Sequence, residues 1–305
     1  MKDFKKLKID KENEEVQYND ELHKYWTKES DLSCISVTTL IHQFTTFDED
    51  FWASYKALES IISKEDFATV KKELYTHKKF IDSHYERFGV TKDEFLEAKK
   101  SILAEWEEKR ETSCVRGTAI HREQELAHLA GNTKELKELQ LDRKKFTTDT
   151  SNKIKLGERG VYPELLLSRI SKDGKLRIAG QADLIIIDGF DVYILDYKTN
   201  KKIDMKSFYD RTKRKSSRMK YPLNNLDDTN FWHYSLQLST YAWMIQKIDP
   251  RFNIKSLILI HYDHDGGVTN YECDYLKRDV ERMLAFYKQK LEHDEFKKSQ
   301  QKILP

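Results

Sequence analysis

Two apolar runs, 184-LIII-187 and 192-VYIL-195, stand on either side of the turn signal Asp188-Gly189-Phe190-Asp191. Short runs rich in β-branched residues and bounded by D-G predict two central strands joined as a hairpin. With residues 188–191 as the loop, Ile187 pairs with Val192, and counting back sets Asp183 opposite Asp196. Directly opposed residues share a face, with Cβ atoms about 5 Å apart. Lys198, two residues beyond Asp196, projects to the same side. Two carboxylates and one ammonium therefore converge at one end of a hairpin whose flanks read as buried. Opposed like charges destabilise a sheet unless a cation lies between them, and one lysine balances only one acid. The pattern invites a hard divalent cation, Mg²⁺ or Mn²⁺. The same residues also allow a plainer reading, a strand-ending Asp183 and an Asp196–Lys198 edge ion pair. Unexplained charge on central strands makes that arrangement costly.

The rest of the chain supplies the surroundings. Residues 15–44 read as a short extended pair passing into a helix, and 48–110 as charged helices, with Thr91 capping one of them. A further helix is expected over 112-TSCVRGTAIHREQELAHLAG-131, capped by Thr112 or Ser113 and stopped by Gly131. Strands are expected over 161–170 and 175–183, joined at Lys172-Asp173-Gly174, and over 255–263 and 268–274. Helices are expected over 233–248 and about 275–292. Strands clustered in the second half, with helices before, between and after them, predict an α/β fold with a central mixed β-sheet flanked by helices. The expected division is an N-terminal hairpin and helical region over 1–110, a core over 111–292 with a basic insertion at 200–232, and a polar tail over 293–305.

Composition narrows the class. Charged residues make up 35% of the 305, yet the net charge is only +2, so a polyanionic partner must be drawn by a local patch. Cys34, Cys114 and Cys273 stand far apart, which argues against a zinc ribbon or a four-cysteine iron–sulfur cluster and for a reducing compartment. No P-loop for ATP and no run of eighteen apolar residues occurs, and the start lacks a secretory h-region. A cytoplasmic location, or a host cell's cytoplasm, is the expectation.

With 180-GQAD-183 and 196-DYKT-199 joined by a hairpin, the segment resembles the PD-(D/E)XK nuclease superfamily. It looks most like the RecB/Cas4-like exonuclease branch, which includes mitochondrial-genome-maintenance-type exonucleases and many phage nucleases. In that branch a helical G-T-x-x-H precedes the core and a Q-x-x-x-Y helix follows it; here 117-GTAIH-121 and 237-QLSTY-241 stand in that order. The four motifs cover about residues 115–245. The resemblance implies a restriction-endonuclease-like core and a Mg²⁺- or Mn²⁺-dependent deoxyribonuclease in DNA replication, recombination or repair. His121, Asp183 and Asp196 would be metal ligands, joined by the Tyr197 carbonyl. Lys198 would orient or activate water, and Gln237 and Tyr241 would support the site or touch substrate. Glu164, in 163-PELLL-167, would be a ligand through a bridging water. Exonuclease action on free or single-stranded DNA ends is what the resemblance favours. A flap endonuclease, a metal-dependent RNase and a non-catalytic nucleic-acid-binding module are the rivals.

Beside the proposed site, residues 201–220 carry nine Lys or Arg against two Asp, with Phe208, Tyr209 and Tyr221 interleaved or adjacent. Lys201, Lys202, Arg211, Lys213, Arg214, Lys215, Arg218 and Lys220 are thus candidates to track a DNA backbone. Glu125 and His128, four and seven residues beyond His121, read as helix-surface positions, with Glu125 on the His121 face expected to support the site. The cluster 261-HYDHDGG-267 reads as a strand end running into a turn rather than a second metal site.

Overall fold

The hairpin around Gly189 forms with the expected register. In the computed structural model, which describes residues 6–7, 16–19, 22, 24–28, 31–77, 80, 82–151, 153–207, 209–210 and 215–301, Ile187 pairs with Val192 and Leu184 with Leu195. The strands extend one residue further than the expected loop allowed, pairing Asp188 with Asp191. Gly189 occupies the turn with φ +67°, a conformation costly for other residues.

In chain order the strands are β1 (Lys6–Leu7), β2 (Val16–Asn19), β3 (Lys24–Thr27), β4 (Ser33–Ser36), β5 (Thr147–Thr148), β6 (Arg159–Ile170), β7 (Arg177–Asp188), β8 (Asp191–Lys198), β9 (Tyr209–Asp210), β10 (Lys215–Ser216), β11 (Asn253–Tyr262) and β12 (Val268–Glu272). The α-helices are α1 (Val37–His42), α2 (Glu49–Ile61), α3 (Lys64–His77), α4 (Ser83–Glu86), α5 (Lys92–Leu129), α6 (Lys134–Glu138), α7 (Asn230–Ile248) and α8 (Lys277–Gln301). Among the described residues ten strands join one sheet in the order β1-β2-β3-β4-β7-β8-β11-β12, with β6 along β7 and β5 beside β6. Most pairs are antiparallel, while β4 runs parallel to β7, β8 parallel to β11 and β5 parallel to β6. The protein is thus an α/β fold with a mixed sheet flanked by helices.

One edge of β7 is shared. Ile178 and Ala179 pair with Ile35 and Ser36 of β4, whereas residues 184–188 pair with β8. The opposite edge pairs with β6 from Arg177 to Asp188. The two faces of the sheet bury different side chains. Ile185, Ile187, Val192 and Ile194 pack with Leu236, Leu238, Tyr241 and Ile245 of α7 and with α1 and α8. Leu184, Ile186, Tyr193, Leu195 and Tyr197 pack with Leu136 of α6 and with Phe146. Strand alternation puts Asp183, Asp196 and Lys198 on the α7 face.

The chain divides into two compact units: Met1–Thr45 with Ala119–Phe208 and Ser217–Pro305, and Thr46–Thr118 with Tyr209–Ser216. Strands β2 to β4 belong to the unit that holds the sheet, so the expected separate region over 1–110 is corrected. The outer edge of β4 needs a partner, and parallel pairing with β7 supplies it. The second unit packs Phe51, Tyr55, Leu58, Phe67, Val70, Leu74, Tyr85 and Phe95 into its own core. Asp48 caps α2 by accepting from the Phe51 N–H at 3.0 Å. Thr91 and Glu94 form a reciprocal capping box, since Glu94 Oε2 accepts from Thr91 N at 2.8 Å and Thr91 Oγ1 from Glu94 N at 3.3 Å.

Helix α5 runs unbroken through residue 112, so no new helix starts there. Thr112 Oγ1 instead donates back to the Glu108 carbonyl at 2.9 Å, the alternative open to a hydroxyl inside a helix. Gly131 follows the helix with φ +79°, as expected of a stop. The final helix likewise continues past 292 to Gln301, into the stretch expected to be a tail.

Candidate metal centre

The segment Gly180-Gln181-Ala182-Asp183 occupies the interval of β7 between its pairings with β4 and β8. Freed of a strand neighbour on that edge, it takes side chains instead. A β-carbon on Gly180 would meet Tyr241 Cε1 at 2.7 Å and Val37 Cγ2 at 3.2 Å. Glycine is required there by the close approach of the Tyr241 ring, which ties the G-x-x-D and Q-x-x-x-Y motifs together. Gln237, one turn before Tyr241, donates through Nε2 to Asp196 Oδ1 at 3.1 Å and to Tyr241 Oη at 3.4 Å.

Across β7, the ladder with β6 pairs Pro163 with Leu184 and Leu165 with Ala182, and the step between sets Glu164 opposite Asp183. That step makes no pair. Glu164 has φ +49°, a left-handed conformation that an L side chain inside a strand adopts at a cost of about 1–3 kcal/mol. Its carbonyl accepts from Gln181 Nε2 at 3.1 Å. One ligand atom from each of His121, Glu164 and Asp183 lies within 4.8 Å of the others. Among the described residues this is the one group of three such side chains so placed.

His121 comes from the part of α5 that lies in the sheet unit. Its Nε2 is 2.9 Å from the Tyr197 carbonyl and its Nδ1 is 3.4 Å from Asp183 Oδ1. Both ring nitrogens thus face acceptors, which favours the doubly protonated ring. Burial works against that charge, but the Asp183 carboxylate outweighs it and holds the His121 pKa up at about 9. Asp183 Oδ2 accepts from the Tyr197 N–H at 2.7 Å. Burial would raise the Asp183 carboxyl, yet His121 and Lys198 keep it below the ordinary range. Asp196 is only 1% exposed and is pushed up by burial and by Asp183, against the pull of Lys198. Lys198 Nζ lies 2.5 Å from Asp196 Oδ2 and 4.7 Å from the centroid of the Tyr234 ring. Burial disfavours its charge, but Asp196 and Asp183 hold its pKa above the usual lysine value.

His121, Glu164 and Asp183 therefore converge, with the Tyr197 carbonyl 2.9 Å from His121 Nε2, a mixed imidazole and oxygen donor set that suits Mg²⁺ or Mn²⁺ once the ring is neutral. Glu164, expected to act through a bridging water, lies within the same 4.8 Å as His121 and Asp183. Asp196 stands beside them, engaged by Lys198 and Gln237. Glu125 instead accepts from Arg122 Nη1 at 2.7 Å along its own helix. His128 departs from its surface assignment. It is 1% exposed, with Nε2 2.8 Å from Tyr197 Oη, because the sheet face packed against α6 also receives the last turn of α5. His261, at the end of β11 beside Lys198, is buried, and its Nε2–H donates to the Asn200 carbonyl at 2.6 Å. The turn after it is built on Asp263, whose Oδ1 accepts from the Asp265 and Gly267 N–H groups.

Of the basic candidates, Lys201, Lys202, Arg218 and Lys220 are exposed. Lys202 pairs with Asp204 at 2.8 Å and Arg218 with Asp227 at 2.9 Å. Lys215 pairs with Asp210 in the β9–β10 ladder. Arg211, Lys213 and Arg214 lie outside the described residues. Among the described residues, no helix is long and apolar enough to cross a membrane.

Comparison with known proteins adds little to this geometry. No protein-family profile and no curated protein matches the chain. A solved structure described as that of SSO0001 is 18% identical, covering 71% of this chain and 84% of its own, with a TM-score of 0.30. A likeness at that score carries no argument about fold or function.

Proposed function

We propose that this chain is a Mg²⁺- or Mn²⁺-dependent deoxyribonuclease of the PD-(D/E)XK kind, acting on DNA ends. The observation that carries the reading is the convergence of His121, Glu164 and Asp183 within 4.8 Å. Beside them Lys198 sits on Asp196. The order of G-T-x-x-H, G-x-x-D, D-Y-K and Q-x-x-x-Y supports the assignment to the superfamily.

The residues suit hydrolysis of a phosphodiester. Glu164, Asp183, the Tyr197 carbonyl and His121 would hold the cation, the His121 ring giving up a proton to do so. At that donor set a divalent ion would supply a lowered pKa for the attacking water and charge stabilisation for the phosphoryl oxygens. Lys198, kept protonated by Asp196 and Asp183, offers a fixed positive charge to the scissile phosphate or the water. Gln237 holds Asp196 in place for that ion pair. Three carboxylates outnumber His121 and Lys198 at the centre, so a bound divalent cation would favour the approach of DNA as well as its hydrolysis. Exposed Lys201 and Lys202, just beyond Lys198 in sequence, and Lys220 further along supply attraction for the polyanion.

End-labelled linear DNA and closed-circular DNA, each with Mg²⁺, Mn²⁺ or EDTA, test the reading. Linear DNA should be degraded from its ends, circles should survive, and Lys198→Ala should lower the rate by about 10²-fold or more. Cutting of circles replaces end-directed action with an endonuclease. Hydrolysis that persists in EDTA refutes the metal mechanism, and DNA binding without hydrolysis by wild type assigns a non-catalytic module.

A further inference from the structure

On the α6 face of β8, behind the centre, the Tyr197 side chain is held by a hydrogen-bond chain of its own. Its hydroxyl donates to Glu135 Oε1 at 3.0 Å. Because the phenolic proton is spent there, the 2.8 Å contact with His128 Nε2 is donated by the histidine N–H. Glu135 is 0% exposed, and His128 and Tyr197 are 1% exposed. The rings of His128 and Tyr197 are near-parallel, with centroids 6.1 Å apart. A buried carboxylate is costly to keep for packing alone. The backbone of the same tyrosine meets the centre at two points, the N–H at Asp183 and the carbonyl at His121. The β7–β8 ladder ends at Leu184 and Leu195, so on that side residue 197 bonds to a side chain instead of a strand.

We propose that His128 and Glu135 are positioning residues for the metal centre: by gripping the Tyr197 hydroxyl they fix the residue-197 backbone, and with it the Asp183 carboxylate and the ligand carbonyl. The inference rests on the metal-centre reading above. It assigns a role to a tyrosine whose side chain points away from the chemistry, and to two residues outside every motif in the sequence. Partners that orient metal ligands from behind commonly change affinity by about 10- to 100-fold when removed.

The test is Mn²⁺ binding to the full-length protein without substrate, read from the electron paramagnetic resonance signal of free Mn²⁺. Tyr197→Phe, which deletes only the hydroxyl, and Glu135→Leu should each weaken binding by about 10-fold. Glu135→Gln keeps an acceptor oxygen for the phenol and should retain most of the affinity. Ile260→Val, a packing loss on the same sheet face, should lower Tm and leave affinity unchanged. Wild-type affinity in Tyr197→Phe overturns the positioning role alone. A loss in Ile260→Val equal to that in Tyr197→Phe also overturns it, since the effect would then be general destabilisation. Absence of Mn²⁺ binding by the wild-type protein overturns the metal-centre reading and this inference together.

Discussion

The ring of Tyr241 rests on the backbone of Gly180 so closely that a β-carbon there would come within 2.7 Å of Cε1 and 2.9 Å of Oη. The Tyr241 hydroxyl also meets Gln237 Nε2, which in turn holds Asp196. A methyl group on residue 180 therefore pushes on a path that ends at the carboxylate. Gly180→Ala should cost about 1–3 kcal/mol in stability, as overpacking does, and lower nuclease activity. Combined with Tyr241→Ala, the same substitution should cost much less. Additive losses in urea denaturation would show that the two residues are not in conflict.

Glu164 is held in a left-handed conformation. Glu164→Gly should relieve that strain and raise stability by about 1 kcal/mol, while weakening Mn²⁺ binding. Glu164→Gln keeps the strain and loses the charge, so it should weaken Mn²⁺ binding without the gain in Tm. Unchanged Mn²⁺ affinity in both variants would remove Glu164 from the ligand set.

His121 links stability to pH. Its pKa of about 9 in the folded chain lies above the ordinary histidine value near 6.5. A raised folded-state pKa stabilises fully below the unfolded value, and that stabilisation is lost as pH rises through about 9. In chelator, the wild-type Tm should therefore fall more between pH 6.5 and 9.5 than that of His121→Gln, where this titration is gone. Parallel Tm curves for the two proteins would contradict the assignment.

The basic stretch makes an electrostatic prediction. Neutralising Lys213, Arg214 and Lys215 should weaken DNA binding and reduce the slope of log affinity against log salt by roughly 2–3 if each charge meets a phosphate. Fluorescence anisotropy across a salt series reads both quantities. An unchanged slope assigns those charges to solvent.

Much of the centre is legible in the sequence because the hairpin is governed by nearest-neighbour rules. The LIII and VYIL runs and the D-G turn suffice to pair Ile187 with Val192, and the register then carries Asp183, Asp196 and Lys198 to one face. Glu164 is harder to read, since nothing in P-E-L-L-L announces a left-handed residue inside a strand; the conformation arises where the ladder opposes two acids. His128 is harder still. Its burial depends on where the last turn of α5 meets the sheet, and a helix start placed at Thr112 obscures that α5 is one helix of 38 residues. Glu135 carries no local signal at all, because its partner Tyr197 lies far along the chain. The unit boundary misleads for a similar reason: β4 looks like part of a leading hairpin, and only its pairing with β7 places it in the sheet.

The shared edge of β7 also bears on how the molecule can assemble. The wall beside Gly180 is finished only when Ile35 and Ser36 find Ile178 and Ala179 across most of the intervening polypeptide. Contacts so distant in sequence form slowly, because the loop must close before they repay it. A fragment trimmed to the motif-bearing stretch would therefore keep every side chain of the candidate centre and still lack the strand that completes their cradle.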